Sequence, residues 1–182
     1  MNSLHEELFA AICSDRRNIN TNTLEQVIIL AVEIAREGRE GRRIGVIFAV
    51  SDDDAVFERS VPLILDPLGG HPDEVKHIES ADMRETVKEL AQLDGAFIVR
   101  DDGVVRSACR YLNATSLGVR LPLGLGSRHI AGASISEQTN AVAVVVSESA
   151  VVRVFDDGDL IAEIIPELWM LRKYTQHISG AT

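Results

Sequence analysis

Apolar and polar positions follow two rhythms along the chain. In LEQVIILAVEIAREG (Leu24 to Gly38) apolar residues recur at three and four, the period of a helix with a buried face. Asn22 or Thr23 supplies its cap and Gly38 its stop. Leu4 to Cys13 repeats the rhythm, with Leu4, Leu8, Ala11 and Ile12 on one face. HIESADMRETVKELAQL (His77 to Leu93) predicts an amphipathic helix with Glu85 and Lys88 paired outside. SRHIAGASISEQT predicts a short helix capped by Ser127, and PELWMLRKYTQHI (Pro166 to Ile178) a helical tail with proline at its start.

Between these lie short apolar runs with the length of strands. They are RIGVIFAV (Arg43 to Val50), AFIV, VVRSACRYL, NAVAVVVSES, and the two halves of VVRVFDDGDLIAEII. The unbroken run in NAVAVVV predicts a strand buried on both faces. Helices and strands in this mixture predict an α/β fold: one domain, with a mixed, twisted sheet flanked by helices. Strand order does not follow from the pattern. Val61 to Pro72, rich in Pro and Gly, predicts an ordered loop.

Three Asp-Gly pairs punctuate the strands. Asp102-Gly103 and Asp157-Gly158 each stand between two apolar runs, which predicts type I′ hairpin turns. Asp94-Gly95 has a helix behind it and a strand ahead, so no second strand is there to turn back from. As a helix end, Gly95 takes the left-handed conformation and Asp94 merely precedes it.

Composition narrows the setting. Aromatics are only 4% of the chain, so Val, Ile, Leu and Ala must build the core. A net charge of −10 disfavours non-specific attraction to nucleic acid or anionic membranes, without forbidding a small anionic ligand. The runs VIILAV and AVAVVV are too short to span a bilayer, and the start MNSLHEELFAAICSDRR lacks a signal pattern. Cys13 and Cys109 share no metal-type spacing and read as buried free thiols. These features predict a soluble protein in a reducing cytoplasm. His71, Asp73 and His77 match no familiar metal spacing and read as a helix-start cluster; REGREGRR (Arg36 to Arg43) reads as a solvated connector.

Two stretches carry candidate chemistry. In LPLGLGSRHIAG (Leu121 to Gly132), Gly124 and Gly126 precede a helix start with Ser127, Arg128 and His129 in its first turn. Glycine permits close approach of backbone N–H groups to an anion, and a helix N-terminus adds partial positive charge. Arginine there opposes the dipole, which points to a compensating negative ligand. Ser147-Glu148-Ser149, directly after the buried strand, stands where α/β proteins place ligand sites.

Taken together, DGA at Asp94-Gly95-Ala96, a hairpin ending in Tyr111-Leu112, GSRH at Gly126 to His129 and SE at Ser147-Glu148 resemble the diadenylate cyclase domain family, most of all its archaeal branch. The likeness covers roughly Met83 to Pro166. It implies residues 79–182 as the catalytic core, with residues 1–78 either an accessory region or part of the same fold. It implies an enzyme, a nucleotidyltransferase that condenses two ATP into cyclic di-AMP with release of two pyrophosphates, active as a face-to-face dimer. By this resemblance Asp94, Arg128 and His129 are catalytic, with Asp94 serving the 3′-hydroxyl of the facing nucleotide. Gly95, Ala96, Tyr111, Leu112, Gly126, Ser127, Ser147 and Glu148 contact the nucleotide, and Asp94 and Glu148 hold Mn²⁺ or Mg²⁺. Departures from the bacterial pattern are Ile130 for a second arginine, Ser149 for a second glutamate and Leu93 for a histidine. Ile130 and Ser149 leave a non-catalytic nucleotide or cyclic di-AMP sensor on the same fold as the alternative.

Overall fold

The computed structural model describes residues 19–113, 115, 118–119 and 121–171. The expected helix at Leu4 to Cys13, and the tail beyond residue 171, lie outside them. Seven strands form one sheet: β1 (Val46–Val50), β2 (Ser60–Pro62), β3 (Ala96–Val99), β4 (Val105–Leu112), β5 (Val142–Val146), β6 (Val152–Asp156) and β7 (Asp159–Ile164). Their order is β2-β4-β3-β1-β5-β6-β7. Only β1 and β3 run parallel, joined by a crossover; every other pairing is antiparallel. The sheet is therefore mixed.

Helices cover both faces. α1 (Thr21–Glu37) and α3 (Ala81–Leu90) pack on one, with Phe48 stacked on Phe97 at 5.2 Å between ring centres. α4 (Ser127–Gln138) packs on the other, over Ile47, Ala143 and Val145. The short α2 (Asp53–Glu58) buries Val56 in that second cluster. β1, β3 and β5 are buried along their whole length, as continuous apolar runs require. Each fully buried Val, Ile or Phe contributes about 1.5–3 kcal/mol, and these types fill most of β1, β3 and β5, with Ala at the remaining positions.

Several boundaries differ from the sequence pattern, each for a local reason. α1 begins earlier, because the Asn20 side chain accepts the Thr23 N–H and so takes the cap. Asn22 and Thr23 are inside the helix. β1 starts at Val46 rather than Arg43, since Arg39 and Arg42 close a tight turn of their own. α3 spans only Ala81–Leu90, capped by Ser80. His71, Asp73 and His77 do not gather: Asp73 opens a 3₁₀ turn and pairs with Arg100, while the His77 ring contacts the Asp102 carbonyl.

The two hairpins use different turns. At Asp157-Gly158 both residues have positive φ, 51° and 82°, the type I′ geometry. At Asp102-Gly103 only Gly103 is positive, and its N–H returns to the Arg100 carbonyl at 3.0 Å. That is a three-residue loop closed by a left-handed glycine, not a type I′ turn. Among the described residues no helix is long and apolar enough to cross a membrane.

Candidate active site

Strand register gathers the singled-out residues at one end of the sheet. The start of β3 lies beside the start of β1 and the end of β4, since Ala96 is level with Ile47 and Arg110. Val46 is level with Val146, which brings in the end of β5, and Val146 with Val152, which adds the start of β6. α4 ends just before β5 begins, so its N-terminus returns to this same end. Asp94, Tyr111, Ser127, Ser147 and Glu148, scattered along the chain, thus converge.

Gly95 is not the end of α3, whose last residues stop at Leu90. Its φ is +111°, and a Cβ there would stand 2.7 Å from the Cys109 carbonyl carbon. β4 carries an extra residue at this level, with Cys109 itself at φ 56°. Glycine is demanded by the bulged neighbour strand, which presses into the mouth of β3. The consequence is that Asp94 is pushed outward, with its side chain 88% exposed.

Arg128 joins the pieces. Its Nη2 lies 3.6 Å from Asp94 Oδ1, and its Nη1 donates to Glu148 Oε1 at 3.2 Å. The guanidinium lies over Gly45, where a Cβ would come within 2.6 Å of Nη1. Gly45 is thus the bare floor that lets Arg128 lie between the two carboxylates. Such exposed pairs are worth only about 0–1 kcal/mol, so an incoming ligand can open them at little cost.

On one side of Arg128 a cavity of about 210 Å³ is lined by Asp94, Arg39, Glu40, Arg42 and Arg43. On the other a cavity of about 310 Å³ holds Gly124, Gly126, Ser127, His129, Ser147 and Arg153. The expected cap at Ser127 is corrected here. Gly126 is the N-cap, no side chain caps the helix, and Ser127 is its first residue. A Cβ on Gly124 or Gly126 would meet nothing within 4 Å, so the backbone is open to a ligand. Among the described residues the N–H groups of Ser127 and Arg128 have no acceptor, which leaves donors at the positive end of the helix.

His129 is buried, and its Nε2 faces Arg153 Nη1 at 3.2 Å. Arginine only donates, so Nε2 accepts and the neutral ring carries its proton on Nδ1. Burial first, then the charges of Arg153 and Arg128, hold the His129 pKa below the usual histidine range. Ser147 Oγ lies 2.5 Å from Ser149 Oγ and accepts from Arg153 at 3.4 Å.

Not every singled-out residue presents a side chain to this space. Ala96 and Leu112 are buried in the core under α4, so only their backbone atoms can serve a ligand. Tyr111 lies on β4 opposite Val61 with its ring exposed, and it touches neither Asp94 nor the helix tip through any hydrogen bond. Among the described residues no group of three or more His, Cys, Asp or Glu gathers as a metal site. Arg153 and Gly45 are absent from any local motif. Arg153 reads as an ordinary outward residue of a hairpin strand, and Gly45 as part of an apolar run; only tertiary proximity reveals either.

A family profile described as DAC, DisA bacterial checkpoint controller nucleotide-binding, matches residues 33–160. A protein named diadenylate cyclase from Methanocaldococcus jannaschii is 49% identical over 145 residues, covering 79% of this chain and 46% of its own length. Its namesake from Haloferax volcanii is 40% identical over 149 residues, covering 80% of this chain and 54% of its own. The chain therefore spans about half the length of the curated relatives it matches. Among solved structures, DacA from Staphylococcus aureus, in a double-mutant form, superposes with a TM-score of 0.52 at 23% identity, covering 81% of this chain and 90% of that one. A hypothetical membrane-spanning protein from Bacillus cereus gives 0.54 at 20% identity, covering 82% and 65%. These two likenesses concern the fold.

Proposed function

The chain belongs to the DAC family, and from that premise we propose that it joins two ATP molecules into cyclic di-AMP, releasing two pyrophosphates. The observation that carries the reading is Arg128, 3.6 Å from Asp94 and 3.2 Å from Glu148 at an uncapped helix tip. A carboxylate able to orient a hydroxyl and a cationic anion cradle share one guanidinium.

In this reading the triphosphate lies against the helix tip, held by Arg128 and the free N–H groups of Ser127 and Arg128. Negative charge grows on the α-phosphate oxygens and on the departing pyrophosphate, and these donors stabilise it. Ser147 and His129 line the same cavity and position the phosphates. Asp94 orients the attacking 3′-hydroxyl and accepts its proton. Its outward exposure supports service to a nucleotide carried by a second copy of the chain. Each copy holds one ATP, and two copies face each other with their nucleotides antiparallel. Tyr111 offers a flat surface to the adenine, while Gly95, Ala96, Gly126 and Leu112 contribute backbone.

Asp94 and Glu148 are hard oxygen donors and suit Mg²⁺ or Mn²⁺ that keeps water and takes its other ligands from phosphate. When bound, the ion neutralises phosphate charge and lowers the hydroxyl pKa. The acidic net charge of −10 disfavours nucleic acid and anionic membrane surfaces as partners.

Ile130, apolar and 38% exposed beside the helix tip, favours a second reading as a sensor that binds the nucleotide without turning it over. Mass spectrometry of ATP incubated with the protein and Mg²⁺ or Mn²⁺ separates the two. Cyclic di-AMP with two pyrophosphates per product is expected. Bound ATP left intact with both metals would assign the sensor instead.

A further inference from the structure

Arg153 is less closely paired with carboxylates than Arg106 or Arg84. Arg106 is held by Asp53 and Asp54 at 2.6 Å each, and Arg84 by Glu33 at 2.9 Å. Arg153, with its side chain only 13% exposed, has one carboxylate, Glu163, at 3.7 Å from Nε. Nε is buried without a hydrogen-bond partner. Nη1 is shared between His129 Nε2 at 3.2 Å and Ser147 Oγ at 3.4 Å, and Nη2 makes no hydrogen bond to the described residues. A guanidinium so far withdrawn from water is costly unless a negative partner completes it.

Its surroundings define that partner. Arg153 lines the same cavity of about 310 Å³ as Gly124, Gly126 and Ser127, where the helix tip offers unpaired N–H groups. Next to it, His129 Nδ1 is buried and unpartnered. Arg153 Nη2, His129 Nδ1 and the N–H groups of Ser127 and Arg128 are donors without acceptors among the described residues. An anion with several oxygens satisfies the set.

We propose that Arg153 is a phosphate-binding residue of this cavity, taking the terminal phosphates of the triphosphate through Nη2 while fixing His129 as the Nδ1–H tautomer through Nη1. This rests on the proposed function only for the identity of the ligand as ATP. The anion chemistry stands on the cavity itself. Arg128 then serves the Asp94 side of the site and Arg153 the far end, so that the polyphosphate lies between two cations. Geometry sets the division of labour: Arg128 is tied to two carboxylates, whereas Arg153 retains an uncommitted nitrogen.

Calorimetry with ATP, AMP and inorganic tripolyphosphate tests it, using Arg153→Gln, Arg153→Lys and, as control, Glu163→Gln. Loss of a charge-assisted hydrogen bond predicts weaker binding of ATP and tripolyphosphate by about 10- to 100-fold in Arg153→Gln. AMP binding should be unchanged, Arg153→Lys should recover part of the loss, and Glu163→Gln should shift ATP affinity by less than about 3-fold. The ring ¹H resonance of His129 should titrate at higher pH in Arg153→Gln and return toward wild type in Arg153→Lys, because a nearby cation has been removed and restored. Equal weakening of ATP and AMP, or an unchanged tripolyphosphate affinity, would reduce Arg153 to a packing residue. If Arg153→Gln does not fold, Arg153→Lys and Glu163→Gln decide: equal losses of tripolyphosphate affinity in the two would overturn the proposal. A protein that binds tripolyphosphate through Arg153 yet makes no cyclic dinucleotide would sink the enzyme reading and leave this one standing.

Discussion

A cation in the first turn of a helix works against the dipole, typically by about 0.3–1 kcal/mol at an exposed position. Arg128 is tolerated there because Asp94 and Glu148 flank it and Gly45 leaves room beneath it. The sequence showed the anomaly, an arginine out of place, and its function follows from what surrounds it in space. His129 is the complementary case. Its pKa is lowered, chiefly by burial, so the folded protein binds its proton more weakly than the unfolded chain does. The stability this confers is complete above the unfolded value of about 6.5 and is lost as pH falls from there toward the folded pKa. Urea midpoints measured between about pH 7.5 and 5 should therefore decline, before the carboxylates titrate. A His129→Gln variant should show a flatter profile over that window; an identical slope would mean that another group governs it.

At the scale of elements, what was legible was local. Asp157-Gly158 predicted its type I′ turn because both φ values depend on residues adjacent in sequence. The buried runs of β1, β3 and β5 were legible from their unbroken apolar character. Asp102-Gly103 misled, since the same dipeptide closes a three-residue loop when the flanking strands are offset, and the offset arises from bulges in β4. The Asn20 cap was hidden because several cap-forming residues precede α1 and their competition is settled by tertiary contacts, including Thr23 Oγ1 donating to the Asp101 carbonyl at 2.9 Å. Gly95 was visible as a glycine but not as a packing residue. The 2.7 Å approach to β4 predicts that Gly95→Ala is destabilising by about 2–4 kcal/mol, through positive φ and collision with backbone. Thermal unfolding should show a drop of several degrees or more. A melting temperature within a degree of wild type would mean that the β3 mouth relaxes freely.

For the molecule as a whole, one sheet end collects the termini of five strands and the tip of α4, as the register dictates. Among the described residues before position 79, β1 is the central strand of the sheet, and Gly45 and Arg43 border the site. A single subunit offers one phosphate cradle and one outward carboxylate. In the proposed reaction, a product built from two nucleotides would draw on two subunits facing each other, each lending its Asp94 to the other's ATP. The direct test is Asp94→Asn, an exposed and nearly isosteric change that leaves Arg128 and the helix tip in place. With ATP and Mg²⁺ or Mn²⁺, this variant should bind ATP within about 3-fold of wild type, because the cradle provides the affinity, and yield no cyclic di-AMP by mass spectrometry. Cyclic di-AMP formed at the wild-type rate by Asp94→Asn would contradict the account.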